Sequence, residues 1–222
     1  MSEMNRHDNQ RKCFAQSLKV LCAILLFSFV ACVSKSQNSA NTQPQASSPN
    51  RVIPYADGFD YPIGKTATVT EAKDKDGWYN AQDFTENNHL GEDWNANTGG
   101  NTDCGEPVYA SANGVIVYAE DAGAGWGNVV IIEHLLIDGT KVQTLYGHLE
   151  SIIKKSGEVK RREKIGTVGN ANGRYYCHLH FEVRFADCPV WNTAGQGYST
   201  ETKGWIDPSK FIDANRPANV KN

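Results

Sequence analysis

A single nine-residue stretch, residues 177–185, constrains this chain more than any other part of it. Its sequence is CHLHFEVRF, and in a β-strand such side chains alternate between two faces. Because imidazole is the commonest metal ligand in proteins, two histidines on one face predict half of a metal site. The apolar face would pack on a core and the polar face would be open to solvent; the first carries Leu179, Phe181, Val183 and Phe185, and the second His178, His180, Glu182 and Arg184.

A second candidate half-site lies upstream, where the sequence HLGED begins at His89 and ends at Asp93. On an extended chain, residues at i and i+4 face the same side, so this imidazole and this carboxylate can point at one site. With one histidine of the 177–185 stretch they make three nitrogen and oxygen ligands. Three protein ligands and an open fourth position are typical of catalytic zinc.

Hydrolysis at such a metal needs further acid–base groups. The remaining candidates are His148, His134 and whichever histidine of the 177–185 stretch does not bind the metal. Glu92 alternates away from the two proposed ligands beside it, so we expect it in solvent rather than acting as a base. Glu182 either orients a metal-bound histidine through a hydrogen bond or belongs to an exposed ion pair.

The region after about residue 55 is typical of an all-β domain, with short strand-like runs separated by Gly, Asn and Asp turns. Residues 107–120 are expected to form a hairpin of two short strands about Asn113-Gly114. Residues 128–134 and 141–150 predict two longer strands, joined by a turn at Asp138-Gly139. The fold class predicted is mainly β, a single domain of antiparallel sheets.

The sequence predicts one short helix and no nucleotide-binding loop. A short helix is predicted near residues 207–212. Gly125 and Gly127 are expected to be turn glycines, because the third glycine and the following helix of a dinucleotide loop are lacking. The formal net charge of −3 gives no basic field that would attract nucleic acid.

The first 31 residues have the pattern of an export signal. Basic residues precede a mostly apolar run, residues 20–31, which is too short to cross a bilayer and has the length of a signal-peptide core. Ala31-Cys32 resembles the processing site of bacterial lipoproteins, where the cysteine receives a lipid; plain secretion or an uncleaved anchor is the alternative. Residues 32–54, rich in Ser, Asn, Gln, Thr, Ala and Pro, predict a flexible tether, followed by a domain over 55–222 with its core at about 85–190.

Six motifs in chain order resemble those of lysostaphin-type, or LytM-type, zinc endopeptidases: HLGED, GEPVYASANGVIVYA, GNVVIIEH, LYGHL, KIGTVGN and HLHFEVR, over about residues 89–184. The resemblance implies an open groove between antiparallel sheets, of the duplicated-hybrid-motif type, with few short helices. It implies one zinc ion held by His89, Asp93 and His180. It also implies that His148 and His178 are catalytic, orienting the attacking water and stabilising the tetrahedral intermediate, and that His134 is structural.

The function implied by this resemblance is hydrolysis of peptide bonds in peptidoglycan by a zinc-activated water. The protein would be a lipid-anchored monomer facing the periplasm, and a cross-link containing a D-amino acid would be its target. Some relatives have lost their ligands and activate other wall hydrolases, so a non-catalytic, wall-binding regulator with a protein partner is the alternative. A further alternative is a zinc hydrolase that acts on ordinary proteins. The intact ligand set favours the enzyme.

One departure from the family pattern lies just before the 177–185 stretch. Residues 173–177, GRYYC, replace a turn of small residues, and we expect these bulky side chains to reshape the substrate groove.

Export also predicts a disulfide among Cys104, Cys177 and Cys188. Cys177 and Cys188 bracket one strand, and eleven extended steps would separate them by roughly 36 Å, against the roughly 5–6 Å that a disulfide needs. They would pair only if the chain doubled back after Phe185. Because Cys104 and Cys188 lie beyond their respective ligand segments by similar distances, the preferred pair is Cys104–Cys188, which leaves Cys177 free. The side chain of Cys177 faces away from that of His178, which argues against a fourth zinc ligand.

Overall fold

The computed structural model describes residues 52–64 and 77–218. The predicted signal peptide, Cys32 and nearly all of the predicted tether lie outside the described residues. Within these two ranges, no helix combines the length and hydropathy needed to span a membrane.

The described residues form eleven strands and one α-helix, with a short 3-10 turn at Glu86–Asn88. In chain order these are β1 Trp78–Gln82, β2 Glu92–Ala96, β3 Pro107–Tyr109, β4 Gly114–Asp121, β5 Asn128–Leu135, β6 Lys141–Leu149, β7 Ser151–Ile152, β8 Gly157–Val159, β9 Lys164–Thr167, β10 Leu179–Phe185, β11 Trp205–Ile206 and α1 Pro208–Ala214.

Two antiparallel sheets make up the domain, which confirms the predicted fold class. The larger sheet has the order β1-β2-β10-β6-β5-β4-β8, with β11 paired on β10, and the smaller has the order β3-β9-β7. The predicted hairpin of β5 and β6 is present, and Gly139 of its turn has a φ of 86°. Helix α1 begins with Pro208 after the N-cap Asp207, close to the predicted position.

Strand β10 lies in the middle of the larger sheet, between β2 and β6. The register pairs His180 with Asp93 on one side and with Gly147 on the other. Leu179, Phe181 and Val183 are fully buried in the core. A strand with two paired neighbours cannot shift easily, so β10 fixes the positions of the polar side chains on its other face.

The other face of β10 is not open to solvent as the sequence predicted. His180 is 2% exposed, and Glu182 and Arg184 are fully buried. The chain after β10 folds back over this face, where the Arg184 guanidinium donates hydrogen bonds to the carbonyls of Thr193 at 2.6 Å and Ala194 at 2.8 Å. Alternation in sequence cannot distinguish a solvent-facing side from one that a later loop covers.

The predicted hairpin over residues 107–120 is also wrong. Strand β3 pairs with β9 in the small sheet, whereas β4 pairs with β5 and β8 in the large one. Residues 110–113 therefore cross between the sheets. Glycine at 114 is required for close packing, because a Cβ there would lie 2.5 Å from the Glu133 carbonyl oxygen and 2.6 Å from Nδ1 of His134.

The disulfide joins Cys104 to Cys177, with 5.3 Å between the Cα atoms, and Cys188 is free and buried. The predicted pair Cys104–Cys188 is therefore wrong. The loop after β2 folds back on the start of β10, where Oδ1 of Asn101 accepts a hydrogen bond from the Cys177 N–H at 2.9 Å. This return of the loop is a tertiary contact that cysteine spacing does not encode.

Candidate metal centre

Three of the predicted site residues meet where β2 and β10 pair. Nε2 of His89 lies 2.9 Å from Nδ1 of His180. Oδ1 of Asp93 lies 3.1 Å from Nδ1 of His180 and 3.3 Å from Nε2 of His89. Two imidazole nitrogens and a carboxylate oxygen thus form one compact triangle.

The dimensions of this triangle suit a single zinc ion. Zinc bonds of about 2.0–2.1 Å in tetrahedral geometry place neighbouring ligand atoms roughly 3.3 Å apart, close to the three observed separations. The two facing imidazole nitrogens can share one proton at most, whereas a cation between them satisfies both lone pairs. The donor set of two imidazoles and one carboxylate is also one that zinc commonly takes in catalytic sites.

Gly91 allows the two ligand strands to approach. A Cβ at this position would lie 2.5 Å from the Phe181 carbonyl oxygen, 2.9 Å from Cγ of Glu182 and 3.1 Å from Nε2 of His180. Any larger residue would push the segment that carries His89 and Asp93 away from β10. The glycine between the two ligands is therefore part of the site.

A buried carboxylate orients His180. Oε1 of Glu182 lies 3.0 Å from Nε2 of His180, and its Oε2 accepts from Nε of Arg184 at 2.7 Å and from Nε1 of Trp205 at 2.8 Å. Of the two roles considered for Glu182, the exposed ion pair is wrong. This contact leaves Nδ1 of His180 directed at the triangle, the arrangement that commonly fixes a metal-binding imidazole.

The electrostatics favour charge at the triangle. Although burial disfavours the carboxylate, hydrogen bonds from His180 and His89 hold the pKa of Asp93 well below its usual range. Burial also opposes charge on His180, but its hydrogen bonds to Asp93 and Glu182 raise its pKa to about 9. Without a cation, this cluster retains a proton to balance its carboxylates.

His148 and His178 lie beside the triangle, with ring centroids 4.7 Å apart. Nδ1 of His148 donates to the Trp126 carbonyl at 3.1 Å, and Nδ1 of His178 donates to the Tyr176 carbonyl at 2.8 Å. Nε2 of His178 is 3.7 Å from Oδ2 of Asp93. In both rings the Nδ1 hydrogen bond leaves Nε2 available to a ligand in the groove.

His148 has two unusual properties. Burial, together with the nearby His180 and His178, lowers its pKa to about 3, so the ring is neutral near pH 7. Its backbone φ is 62°, a left-handed conformation that non-glycine residues rarely adopt outside turns and functional sites.

Two other candidates from the sequence lie away from the triangle. His134 is fully buried, with Nδ1 2.8 Å from the Asn113 carbonyl oxygen and Nε2 2.8 Å from Oγ1 of Thr144. Glu92 is buried rather than solvated, because the start of α1 covers it and Oγ of Ser209 donates to it at 2.8 Å. Burial is the main cause that raises the pKa of Glu92 to about 7, against the opposing hydrogen bonds from Ser209.

The motifs predicted bulky side chains from residues 173–177 in the groove, but they did not indicate Trp126 or Tyr198 as further aromatic walls. Trp126, Tyr175 and Tyr198 line a cavity of about 330 Å³ together with the catalytic candidates. Tyr198 stacks on His89 with 5.0 Å between ring centroids, and its hydroxyl donates to Oε1 of Gln82 at 3.1 Å. Tyr198 reaches the site because residues 197–199 hydrogen-bond to residues 88–90, a pairing with no local signal.

The fold and this site define a mainly β domain with a candidate metal centre in a groove. Residues 87–192 match the sequence model of peptidase family M23. Lipoprotein NlpD of Yersinia enterocolitica is 38% identical over 82 residues, which cover 36% of this chain and 79% of that relative. The chain belongs to peptidase family M23, and the family prediction made from the motifs is confirmed.

Other relatives share only part of their length with this chain. DD-carboxypeptidase/endopeptidase Mpg of Neisseria meningitidis serogroup B is 42% identical over 86 residues, which are 39% of this chain and 19% of Mpg. The chain therefore spans about a fifth of that relative. A zinc-containing peptidase from Vibrio cholerae is a structural neighbour with a TM-score of 0.45 and 26% identity, covering 68% of this chain and 39% of that one; the family assignment does not depend on it.

Proposed function

We propose that this protein is a zinc-dependent endopeptidase that hydrolyses amide bonds in the stem peptides or cross-links of peptidoglycan. The observation that supports it best is the triangle of His89, Asp93 and His180 at 2.9–3.3 Å, with two further histidines beside it in a groove. A structural zinc site has four protein ligands and no groove. This donor set has three.

In this proposal His89, Asp93 and His180 hold the zinc ion. A zinc ion bound there would polarise a water molecule and lower its pKa towards neutrality. His148 is neutral near pH 7, and its Nδ1 hydrogen is committed to the Trp126 carbonyl. Nε2 of His148 is therefore the atom that would accept a proton from that water.

His178 has the complementary role. Its Nδ1 donates to the Tyr176 carbonyl, and its Nε2 lies 3.7 Å from Oδ2 of Asp93. In this proposal Nε2 of His178 is the atom that contacts the developing oxyanion and afterwards passes a proton to the leaving amine. Trp126 and Tyr175 both lie against the His148 ring, and Tyr175 also contacts the His178 ring.

The substrate class and location are supported by the relatives and the leader. One relative is named as a DD-carboxypeptidase/endopeptidase and another as a lipoprotein. Residues 1–31 have the pattern of an export signal ending at Cys32. In this proposal a lipid on Cys32 anchors the chain, and the domain faces the periplasm.

Digestion of purified sacculi tests the proposal. The full-length protein is incubated with sacculi with zinc, with a chelator, and after zinc is restored, and new peptide ends are identified by mass. We expect products that disappear with the chelator and in His178→Ala, and that persist in the exposed-site control Lys155→Ala. Folded, zinc-loaded protein that releases no product would contradict the proposal.

The alternative is a regulator of other wall hydrolases. NlpD of Escherichia coli, named as a murein hydrolase activator, is 35% identical over 82 residues of this chain. His148→Ala separates the two functions, because it removes the proposed base and leaves all three proposed zinc ligands. An enzyme would lose turnover and keep zinc, whereas an activator would stimulate a partner hydrolase as well as the wild type does.

A further inference from the structure

The groove has two arms that meet at Asp93 and His178. The first is the aromatic cavity described above. The second is a wider cavity of about 760 Å³, which we term the arginine arm; it is lined by Asn95, Asn101, Asn170, Arg174 and Tyr176. Residues 173–176 line this arm, and they belong to the segment 173–177 in which the sequence departs from the family pattern.

Arg174 is distinguished from the other arginines of the described region by its unused side chain. Arg161 and Arg216 pair with Asp60, Arg184 pairs with Glu182, and Arg162 donates to backbone carbonyls. The Arg174 side chain is exposed and makes no hydrogen bond or ion pair with any described residue, since only its backbone N–H is engaged, with the Asn170 carbonyl at 2.9 Å. A guanidinium beside the proposed catalytic site therefore faces the groove unpaired.

The asparagines of this arm present donors as well. Oδ1 of Asn101 accepts from the Cys177 N–H, and Oδ1 of Asn170 accepts from the Gly173 N–H at 2.8 Å. Since both oxygens are occupied by backbone donors, the orientation of each amide is fixed and its NH2 group remains for a ligand. Neither NH2 group bonds to another described residue.

The arm is also held rigidly. The backbone N–H groups of Arg174 and Tyr175 both donate to the Asn170 carbonyl, at 2.9 and 3.1 Å. The Cys104–Cys177 disulfide closes the end of the segment. Donors that are fixed before binding lose little conformational entropy when a ligand arrives.

The two arms of the groove differ in their charged side chains. Asp93 lines both arms, and it is the one Asp or Glu among the described residues that line either of them. No Lys or Arg lines the aromatic arm, whereas the arginine arm adds the Arg174 guanidinium. The guanidinium and the amides of Asn101 and Asn170 therefore lie on one arm only.

We propose that the arginine arm is a carboxylate-binding subsite, in which Arg174 takes a carboxylate of the bound peptide in a charge-assisted, bidentate pair and the amides of Asn101 and Asn170 donate to it. That the bound peptide is a substrate rests on the proposed function. The carboxylate is either the free α-carboxylate at the end of the peptide or one on a side chain. In both cases the anionic portion lies on the Arg174 side of the scissile bond.

The test uses disaccharide peptides released from sacculi by a muramidase, in their native form and after carbodiimide amidation of their carboxylates. Full-length, zinc-loaded wild type, Arg174→Gln and the charge-matched control Lys155→Gln are compared by kcat/KM. We expect Arg174→Gln to lose about 10–100-fold on native peptides, as for a lost hydrogen bond to a charged group, and to match the wild type on amidated ones. Equal loss on both forms, or no loss, overturns the subsite.

Two further measurements complete the test. Synthetic peptides with only the α-carboxylate or only the side-chain carboxylate amidated identify the recognised group. The carboxylate whose amidation abolishes the difference between wild type and Arg174→Gln is the one that Arg174 binds. Binding of the native peptides is measured on His178→Ala, with and without Arg174→Gln. If the wild type cleaves nothing, the proposed function fails. The subsite still stands if adding Arg174→Gln to His178→Ala weakens peptide binding about tenfold or more. It is overturned if that binding is unchanged or if no binding is detected.

Discussion

At the scale of single residues, the buried carboxylate of Glu182 connects the proposed metal site to the rest of the domain. It contacts the proposed ligand His180, the Arg184 guanidinium and the indole N–H of Trp205. Arg184 in turn holds the carbonyls of the loop after β10. Loss of this one charge would therefore affect both the metal and the loop.

We expect Glu182→Gln to weaken zinc binding about 10–100-fold, the usual effect of losing the partner that orients a metal-bound histidine. The amide retains the size of the side chain but not its charge. Competition with a chromophoric chelator measures the affinity, with Glu201→Gln, an exposed change, as the control. Equal zinc affinity in the two variants would show that Glu182 has no role in orienting His180.

A second prediction at this scale concerns His134 and pH. Burial lowers its pKa to about 4 from an ordinary 6.5, so the folded protein does not take up the proton that the unfolded chain binds. The free energy of unfolding is therefore unaffected by this proton above pH 6.5. It falls between pH 6.5 and about 4, by about 3 kcal/mol in total.

The measurement is urea unfolding of the metal-free protein from pH 7 to pH 4. His134→Gln cannot take up this proton, so its free energy of unfolding should fall with acid by about 3 kcal/mol less than that of the wild type. Parallel pH curves for the two proteins would contradict the assignment.

At the scale of elements, what the sequence could and could not predict follows from the range of each interaction. Alternation in β10 and the spacing of the HLGED motif are local, and they indicated His89, Asp93 and one histidine of the pair His178 and His180. The choice of His180 came from the resemblance to the family. Strand partners are not local: β3 and β4 look like a hairpin in sequence but belong to different sheets. The burial of Glu182 and the place of Tyr198 depend on chain segments that return from a distance.

The contact between the ligand strands yields a third prediction. Gly91→Ala would place a methyl group 2.5 Å from the Phe181 carbonyl oxygen, so the HLGED segment and β10 must separate. We expect a stability loss of about 1–3 kcal/mol, measured by urea unfolding, and loss of bound zinc, measured by metal analysis. Gly139→Ala, at a left-handed φ but with open space around it, should lose about 1–2 kcal/mol and keep its zinc; retention of zinc by Gly91→Ala would contradict the prediction.

At the scale of the whole molecule, the groove depends on a covalent link between two distant parts of the chain. The Cys104–Cys177 disulfide spans 73 residues and ties the loop after β2 to the residue before His178. The cysteine spacing argued against Cys177–Cys188 unless the chain doubled back after Phe185, but the correct pair depends on a loop whose path only the folded chain defines.

We expect Cys104→Ser to destabilise the domain by about 2–5 kcal/mol, the usual range for loss of a native disulfide. Turnover should fall as well, because His178 follows the released Cys177 directly. Urea unfolding and the sacculus assay measure the two effects, and Cys188→Ala, which breaks no disulfide, is the control. A peptide map that links Cys188 to either of the other cysteines would contradict the pairing.

The same disulfide affects when the groove is completed. Disulfides persist in oxidising compartments and are rare in the cytosol. Until this bond forms, no covalent link holds Cys177 to the loop after β2, so the arginine arm is not yet locked in place. The redox state of the surroundings would then determine when the groove is complete.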